Sequence, residues 1–197
     1  MQKDVVPDRI AGRVIPMTLD GEVLLIKGHD ADNLDYSWWF TVGGGTKEKE
    51  TVSQCAVREL YEETGIKLQS CNDLMKLLIV REGKFSFTRH TVYQRDYIYI
   101  ALLDEKISIN TTNFTLNEKN VIDDVKWWNI SELYKNVIEG KITLYPYKLE
   151  EILMSVHQKL LQKLNETSIG KENKKLLLKN LDTWEINDYD NSVKVCK

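Results

Sequence analysis

The stretch at residues 43–66, GGGTKEKETVSQCAVRELYEETGI, constrains this chain more than any other. Thr51 and Gln54 stand three apart in it. That spacing is a capping box, in which each side chain satisfies an amide left open at the start of a helix. A helix of about four turns is therefore predicted from Thr51. Val52, Cys55, Ala56, Leu60 and Ile66 supply its apolar side, and Gly65 sits where a left-handed residue ends it. On such a helix Glu59, Glu62 and Glu63 lie three and four apart, so their carboxylates converge on one patch. Three like charges so placed cost energy unless a cation joins them. Magnesium and similar hard ions take oxygen ligands and are shared between a few carboxylates and substrate phosphates. The glycine run lets backbone and phosphate approach closely, because glycine carries no side chain.

A solvated acidic face accounts for the glutamates but not for the offsets around them. Gly44 is followed after five residues by Glu50, and seven residues later come Arg58-Glu59-Leu60, then Glu62-Glu63 and Gly65-Ile66. This pattern resembles the Nudix box with every defining position filled. The chain is thus similar to Nudix hydrolases, enzymes that cleave nucleoside diphosphates linked to another group. The resemblance implies an α/β protein, an α/β/α sandwich around a mixed β-sheet. It implies that Glu50 and Arg58 form an ion pair bracing the glycine loop against the helix. Glu59 and Glu63 are implied as principal metal ligands, Glu62 as a further ligand or water-orienting group, and the Gly43 carbonyl as a backbone ligand. The implied cofactor is magnesium or manganese, and the implied chemistry is attack of metal-activated water on phosphorus. One departure is visible: Val42 stands where many members carry Pro, which bears on the stiffness of the turn. The segment TLNEKNVIDDVKWW also resembles the family, and implies for Glu118 a reach back to metal or water, against a plain solvated loop residue.

The resemblance covers residues 10–164. Residues 1–164 are expected to form the Nudix domain and 165–197 a C-terminal extension, a short helix or a flexible tail. A chain of 197 residues, 42% of them apolar, can bury a proper core. Its formal charge of −3 provides no global basic field, so DNA is not an expected partner and RNA is left open through a local patch. The first residues hold no apolar signal core, and no run has the length of a membrane span, so a cytoplasmic protein without membrane contact is expected. Cys55, Cys71 and Cys196 are odd in number and lack zinc spacing, and read as structural thiols. A small nucleotide is the expected substrate, and a homodimer is left open. ADP-ribose-specific members often carry a Pro downstream of the box, whereas none lies here between Pro16 and Pro146. Nucleoside triphosphates, dinucleoside polyphosphates and nucleotide sugars remain. Two other functions fit the resemblance: a non-catalytic nucleotide-binding module, and an RNA 5′-end pyrophosphohydrolase.

Elsewhere the pattern predicts a hairpin of residues 10–19 and 22–27 about Asp20-Gly21, with the apolar run 23–26 covered on both faces. Trp38-Trp39-Phe40 delivers the chain to the glycines. Such a cluster is core by default, but Trp39 is a candidate to stack on a base. Strands are predicted at 74–81 and 85–89 around a Glu82-Gly83 turn, with Arg89 a candidate ligand contact. A central strand at 97–103, a loop at 110–120, a strand at 125–129, a helix starting at Ser131 and a long helix at 147–164 complete the reading.

Overall fold

A computed structural model describes residues 7–30, 33–68, 75–86, 91–112, 114, 116–166, 174–179, 181–187 and 192–196. The elements are β1 (Arg9–Thr18), β2 (Glu22–His29), β3 (Ser37–Phe40), β4 (Val42–Gly45) and α1 (Val52–Thr64). They continue with β5 (Met75–Ser86), β6 (Thr91–Leu103), α2 (Leu116–Val121), β7 (Ile122–Asn129), α3 (Ile130–Ile138) and α4 (Leu149–Glu166). Last come α5 (Lys174–Lys179), β8 (Thr183–Asn187) and β9 (Ser192–Cys196). The strands form one mixed sheet in the order β3-β2-β1-β6-β5-β8-β9, with β4 paired to β1 and β7 to β2. β1 runs parallel to β6 and β5 parallel to β8, while the other pairs are antiparallel.

Strand alternation divides the apolar side chains between two cores. Val14, Leu24, Ile26 and Ala101 pack with Ala56 and Leu60 of α1 on one face. Ile15, Met17, Val23, Leu25, Ile98 and Ile100 pack with Leu133, Leu149, Leu153 and Val156 of α3 and α4 on the other. Residues 23–26 are accordingly buried whichever way they point, as the unbroken apolar run requires. Helices therefore cover both faces of the sheet. Among the described residues no helix is long and apolar enough to cross a membrane.

Several boundaries differ from the sequence reading. β5 runs straight through Glu82-Gly83, because Glu82 pairs with Arg95 and Gly83 with Gln94 across β6. Arg95 Nε donates to Glu82 Oε1 at 2.9 Å, so the residues read as a turn lie in mid-ladder. β1 and β2 pair at Met17 and Val23 beside the Asp20-Gly21 turn, while Ala11 to Val14 of β1 pair with β4 and the whole of β1 runs along β6. The stretch read as a loop at 110–120 contains the start of α2. α3 is capped by Asn129, whose side chain accepts from the amides of Ser131 and Glu132. Beyond α4, Leu177, Leu178, Leu181 and Ile186 enter the core under α4, and β8 and β9 extend the sheet from β5.

α1 approaches β1 at backbone distance, and Gly12 permits it. A Cβ there would lie 2.1 Å from the Val52 carbonyl oxygen and 2.9 Å from the Ala56 nitrogen. Gly12→Ala should lift the first turn of α1 from the sheet and destabilise the protein by about 1–3 kcal/mol, the usual range for overpacking. Urea denaturation should show a lower midpoint at unchanged slope.

Candidate active site

The box helix forms as its local signals dictate. Thr51 is the N-cap, its hydroxyl accepting from the Gln54 amide while Gln54 Oε1 accepts from the Thr51 amide. Gly65 closes the helix in the left-handed conformation and donates to the Tyr61 carbonyl. Between these ends Glu59 and Glu63 are buried, and the Glu62 side chain is half exposed. Glu63 Oε2 accepts from the Gly43 amide at 2.8 Å. Gly43 can aim its amide this way because its φ is +137°, and a Cβ there would lie 2.5 Å from the Gly12 carbonyl oxygen. Val42, where many relatives have Pro, is fully buried in register with Val14, so core packing holds the turn.

Arg58 ties the loop to the acidic face. Its Nε and Nη2 donate to the two oxygens of Glu50, at 2.7 and 2.9 Å, and Nη2 also reaches the Gly45 carbonyl at 3.2 Å. Its Nη1 donates to Glu59 Oε1 at 2.6 Å and Glu62 Oε2 at 2.8 Å. One guanidinium thus fixes the brace and aims two of the three carboxylates. Cys55 Sγ lies 3.2 Å from the Gly44 carbonyl oxygen, and burial pushes its thiol pKa up. Cys71 lies outside the described residues.

The hydrogen bonds from Arg58, helped by the Lys47 amide, hold the Glu50 carboxyl at about 2, against an ordinary value of 4.5. A carboxylate depressed on folding contributes stability above its unfolded pKa and loses it as the pH falls toward the folded one. The stability gap between wild type and Glu50→Gln should therefore be constant from neutral pH down to about 4.5 and close between there and about 2. Denaturation curves of both proteins across that range measure it.

Beside the glycine loop lies a cavity of about 590 Å³. Trp38, Phe40, Tyr145 and Tyr147 supply aromatic wall, and Arg13, Arg81 and Lys84 supply cations. Arg13 Nη1 donates to the carbonyls of Thr41 and Gly43, at 3.0 and 3.1 Å. Gly43 therefore joins the cavity to the acidic face, its carbonyl on Arg13 and its amide on Glu63. A NUDIX domain family model matches residues 8–147, well over half of the chain. The chain belongs to the Nudix family. As a Nudix hydrolase it acts within the class of nucleoside diphosphate derivatives.

Among solved structures, the Nudix chain is similar to a MutT NUDIX hydrolase from Burkholderia pseudomallei, with 22% identity and a TM-score of 0.48. That match covers 63% of this chain and 84% of the other. It is also similar to the NUDIX domain of Shewanella oneidensis NrtR, determined with ADP ribose, at 18% identity and a TM-score of 0.49. There the coverage is 79% and 92%. Among curated proteins none matches the chain.

The donor set of the Nudix helix suits a hard divalent ion. Every donor is an oxygen, two of the three carboxylates are buried, and Glu59 Oε2 stands outside the bonds to Arg58. Among the described residues no group of three His, Cys, Asp or Glu side chains could hold a metal ion by itself. Magnesium needs none, since it is commonly held by one or two carboxylates together with substrate phosphates.

The remaining candidates fall in different places. Trp39 is buried in the core under α3 and α4, edge-on to Trp128 with ring centroids 5.1 Å apart. Its neighbour Trp38 lines the cavity, since successive residues of a strand face opposite ways. Trp38, and not Trp39, lines this cavity, while Trp39 lines a second one together with Trp128 and Lys126. Arg89 lies outside the described residues. Glu118 falls on α2, with its side chain outside the described part. The sequence reading passed over Arg13, Arg81 and Asp96, although charged residues inside otherwise apolar strands were the available signal.

Proposed function

We propose that this Nudix hydrolase cleaves a diphosphate linkage in a small nucleotide, a nucleoside triphosphate before other substrates, with magnesium or manganese as cofactor. The observation that carries this reading is the junction at Gly43 between the acidic face and a cavity walled by rings and cations. The cavity volume falls within the range of small-molecule sites. Aromatic faces stack on a base, and arginine and lysine donate hydrogen bonds to the oxygens of a nucleotide.

Glu59, Glu62, Glu63 and the Gly43 carbonyl would hold the ion. Bound there, it would lower the pKa of a water and neutralise charge on the diphosphate. The protein's own residues do the rest. Arg58 keeps Glu59 and Glu62 aimed, and the Gly43 amide fixes Glu63. A carboxylate oxygen of this face receives the proton of the attacking water. Glu118 of α2 is a proposed participant in that transfer.

A phosphate-release screen with magnesium and with manganese tests the reading. It covers nucleoside triphosphates, ADP-ribose, dinucleoside polyphosphates, nucleotide sugars and a triphosphorylated RNA, each with wild type and Glu63→Gln. Turnover of a small nucleotide, lost in the variant, is the expected result. Binding without turnover of any of them would replace it by the non-catalytic reading. Turnover confined to the RNA would replace the small nucleotide by an RNA end.

A further inference from the structure

Arg13 of β1 and Arg81 of β5 flank β6 and meet on Asp96. Arg13 Nε donates to Asp96 Oδ1 at 3.1 Å, Arg81 Nη1 to Oδ2 at 3.0 Å, and Gln94 Nε2 to Oδ1 at 2.5 Å. Asp96 is 1% exposed, so its lone pairs are spent on these donors and lie beyond the reach of a ligand. The Thr41 carbonyl at the same end of the cavity is likewise covered by Arg13 Nη1. Arginine and lysine donate hydrogen bonds and cannot accept them. Arg13 Nη2 donates to no described residue, while Nε and Nη1 hold the guanidinium in place. The floor of the cavity therefore offers fixed guanidinium donors, and the Asp96 carboxylate and the Thr41 carbonyl beside them already carry donors of their own.

The walls suit a flat ring. Trp38 lies with its centroid 5.3 Å from that of Tyr36 and 6.4 Å from that of Tyr145, the latter nearly perpendicular. The two tyrosine hydroxyls bond each other at 3.1 Å, which draws them from the floor. A planar group entering here meets aromatic faces at its sides and donors at its edge.

We infer that the cavity selects a nucleobase whose exposed edge carries acceptors, an oxo-base such as guanine or uracil, over adenine or cytosine. Guanine presents N7 and O6 as an adjacent acceptor pair and uracil presents O4, whereas adenine carries an amino donor beside its N7 acceptor and cytosine an amino donor in place of O4. An amino group turned to the floor would set its donors against those of the Arg13 and Arg81 guanidinium groups. This rests on the proposal that the substrate is a nucleotide, and names the base that proposal leaves open.

Two measurements separate the inference from the reading beneath it. The first is kcat/KM for GTP, UTP, ATP and CTP with wild type in manganese. The second is calorimetric binding of the same four to Glu63→Gln, which needs no turnover. GTP should exceed ATP by roughly 5- to 150-fold in both, the discrimination of one good two-point contact, and UTP should exceed CTP in the same direction through its single acceptor. Preferential binding without wild-type turnover would uphold the inference and remove the hydrolase proposal. Turnover or binding with all four bases within about twofold, or no binding at all, would overturn the inference. Arg13→Lys, which removes the guanidinium fork, should shrink the preference severalfold, and Arg81→Lys is the second variant where Arg13→Lys does not fold. A preference untouched by either would overturn the assignment to this floor.

Discussion

Glu63→Gln should lower kcat/KM by about two to four orders of magnitude, the span associated with loss of a catalytic acid–base or charge contribution, with almost no change in melting temperature. Gln occupies the same volume and keeps a carbonyl oxygen where Oε2 accepts the Gly43 amide at 2.8 Å. Arg58 bonds Glu50, Glu59 and Glu62, and those bonds survive the substitution. What disappears is one buried negative charge beside the junction of loop and cavity. Glu59→Gln makes the contrast, since it weakens a 2.6 Å charge-assisted bond to Arg58 as well as removing charge, and should lower both activity and stability. Glu62→Gln should have the mildest effect of the three, because that side chain is 43% exposed and water can replace much of what it offers. Thermal melts and steady-state rates on the three variants check the order. Full activity in Glu63→Gln would remove this face from the chemistry.

What the sequence disclosed is what local chemistry controls. The capping box, the terminal glycine and the three- and four-residue spacings of α1 act within a few residues, and each is found where the spacing puts it. The Glu50–Arg58 brace was legible through the family resemblance. Features that depend on a distant partner were hidden. Glu82-Gly83 has the composition of a turn, and becomes mid-strand because Arg95 and Gln94 stand opposite. Trp38 and Trp39 are indistinguishable by composition, and one step of strand register sends the first to the cavity and the second to Trp128. The stretch after α4 is rich in lysine and asparagine, and its strands exist because β5 offers an edge for β8 to join. Asp96 was the deepest omission. It draws its meaning from Arg13, 83 positions away, and from Arg81 on the other side of β6.

Asp96→Ala is expected to destabilise the protein by about 3–5 kcal/mol, the range for removing one partner of a buried ion pair. For a chain of this size that corresponds to a fall in melting temperature of roughly 6–20 °C. Burial works against ionisation of Asp96, yet the charges of Arg13 and Arg81 more than offset it, and the carboxyl pKa is lowered. Removal would leave two guanidinium groups, with side chains 14% and 10% exposed, without the anion between them. Arg13 would keep the Thr41 and Gly43 carbonyls, which carry only partial charge, and the field of Glu63 and Glu59. Asp96→Asn keeps the shape and one acceptor, and should fall between Ala and wild type. The combined variant Arg13→Met, Arg81→Met, Asp96→Leu separates stability from function. Buried ion groups replaced together by apolar side chains of similar size are often neutral or stabilising. It should recover most of the melting temperature lost in Asp96→Ala while nucleotide binding stays lost. That pairing would place the reason for three charged side chains beneath this cavity in what the cavity binds rather than in what holds the sheet together. A combined variant as unstable as Asp96→Ala would instead make the network a requirement of the fold.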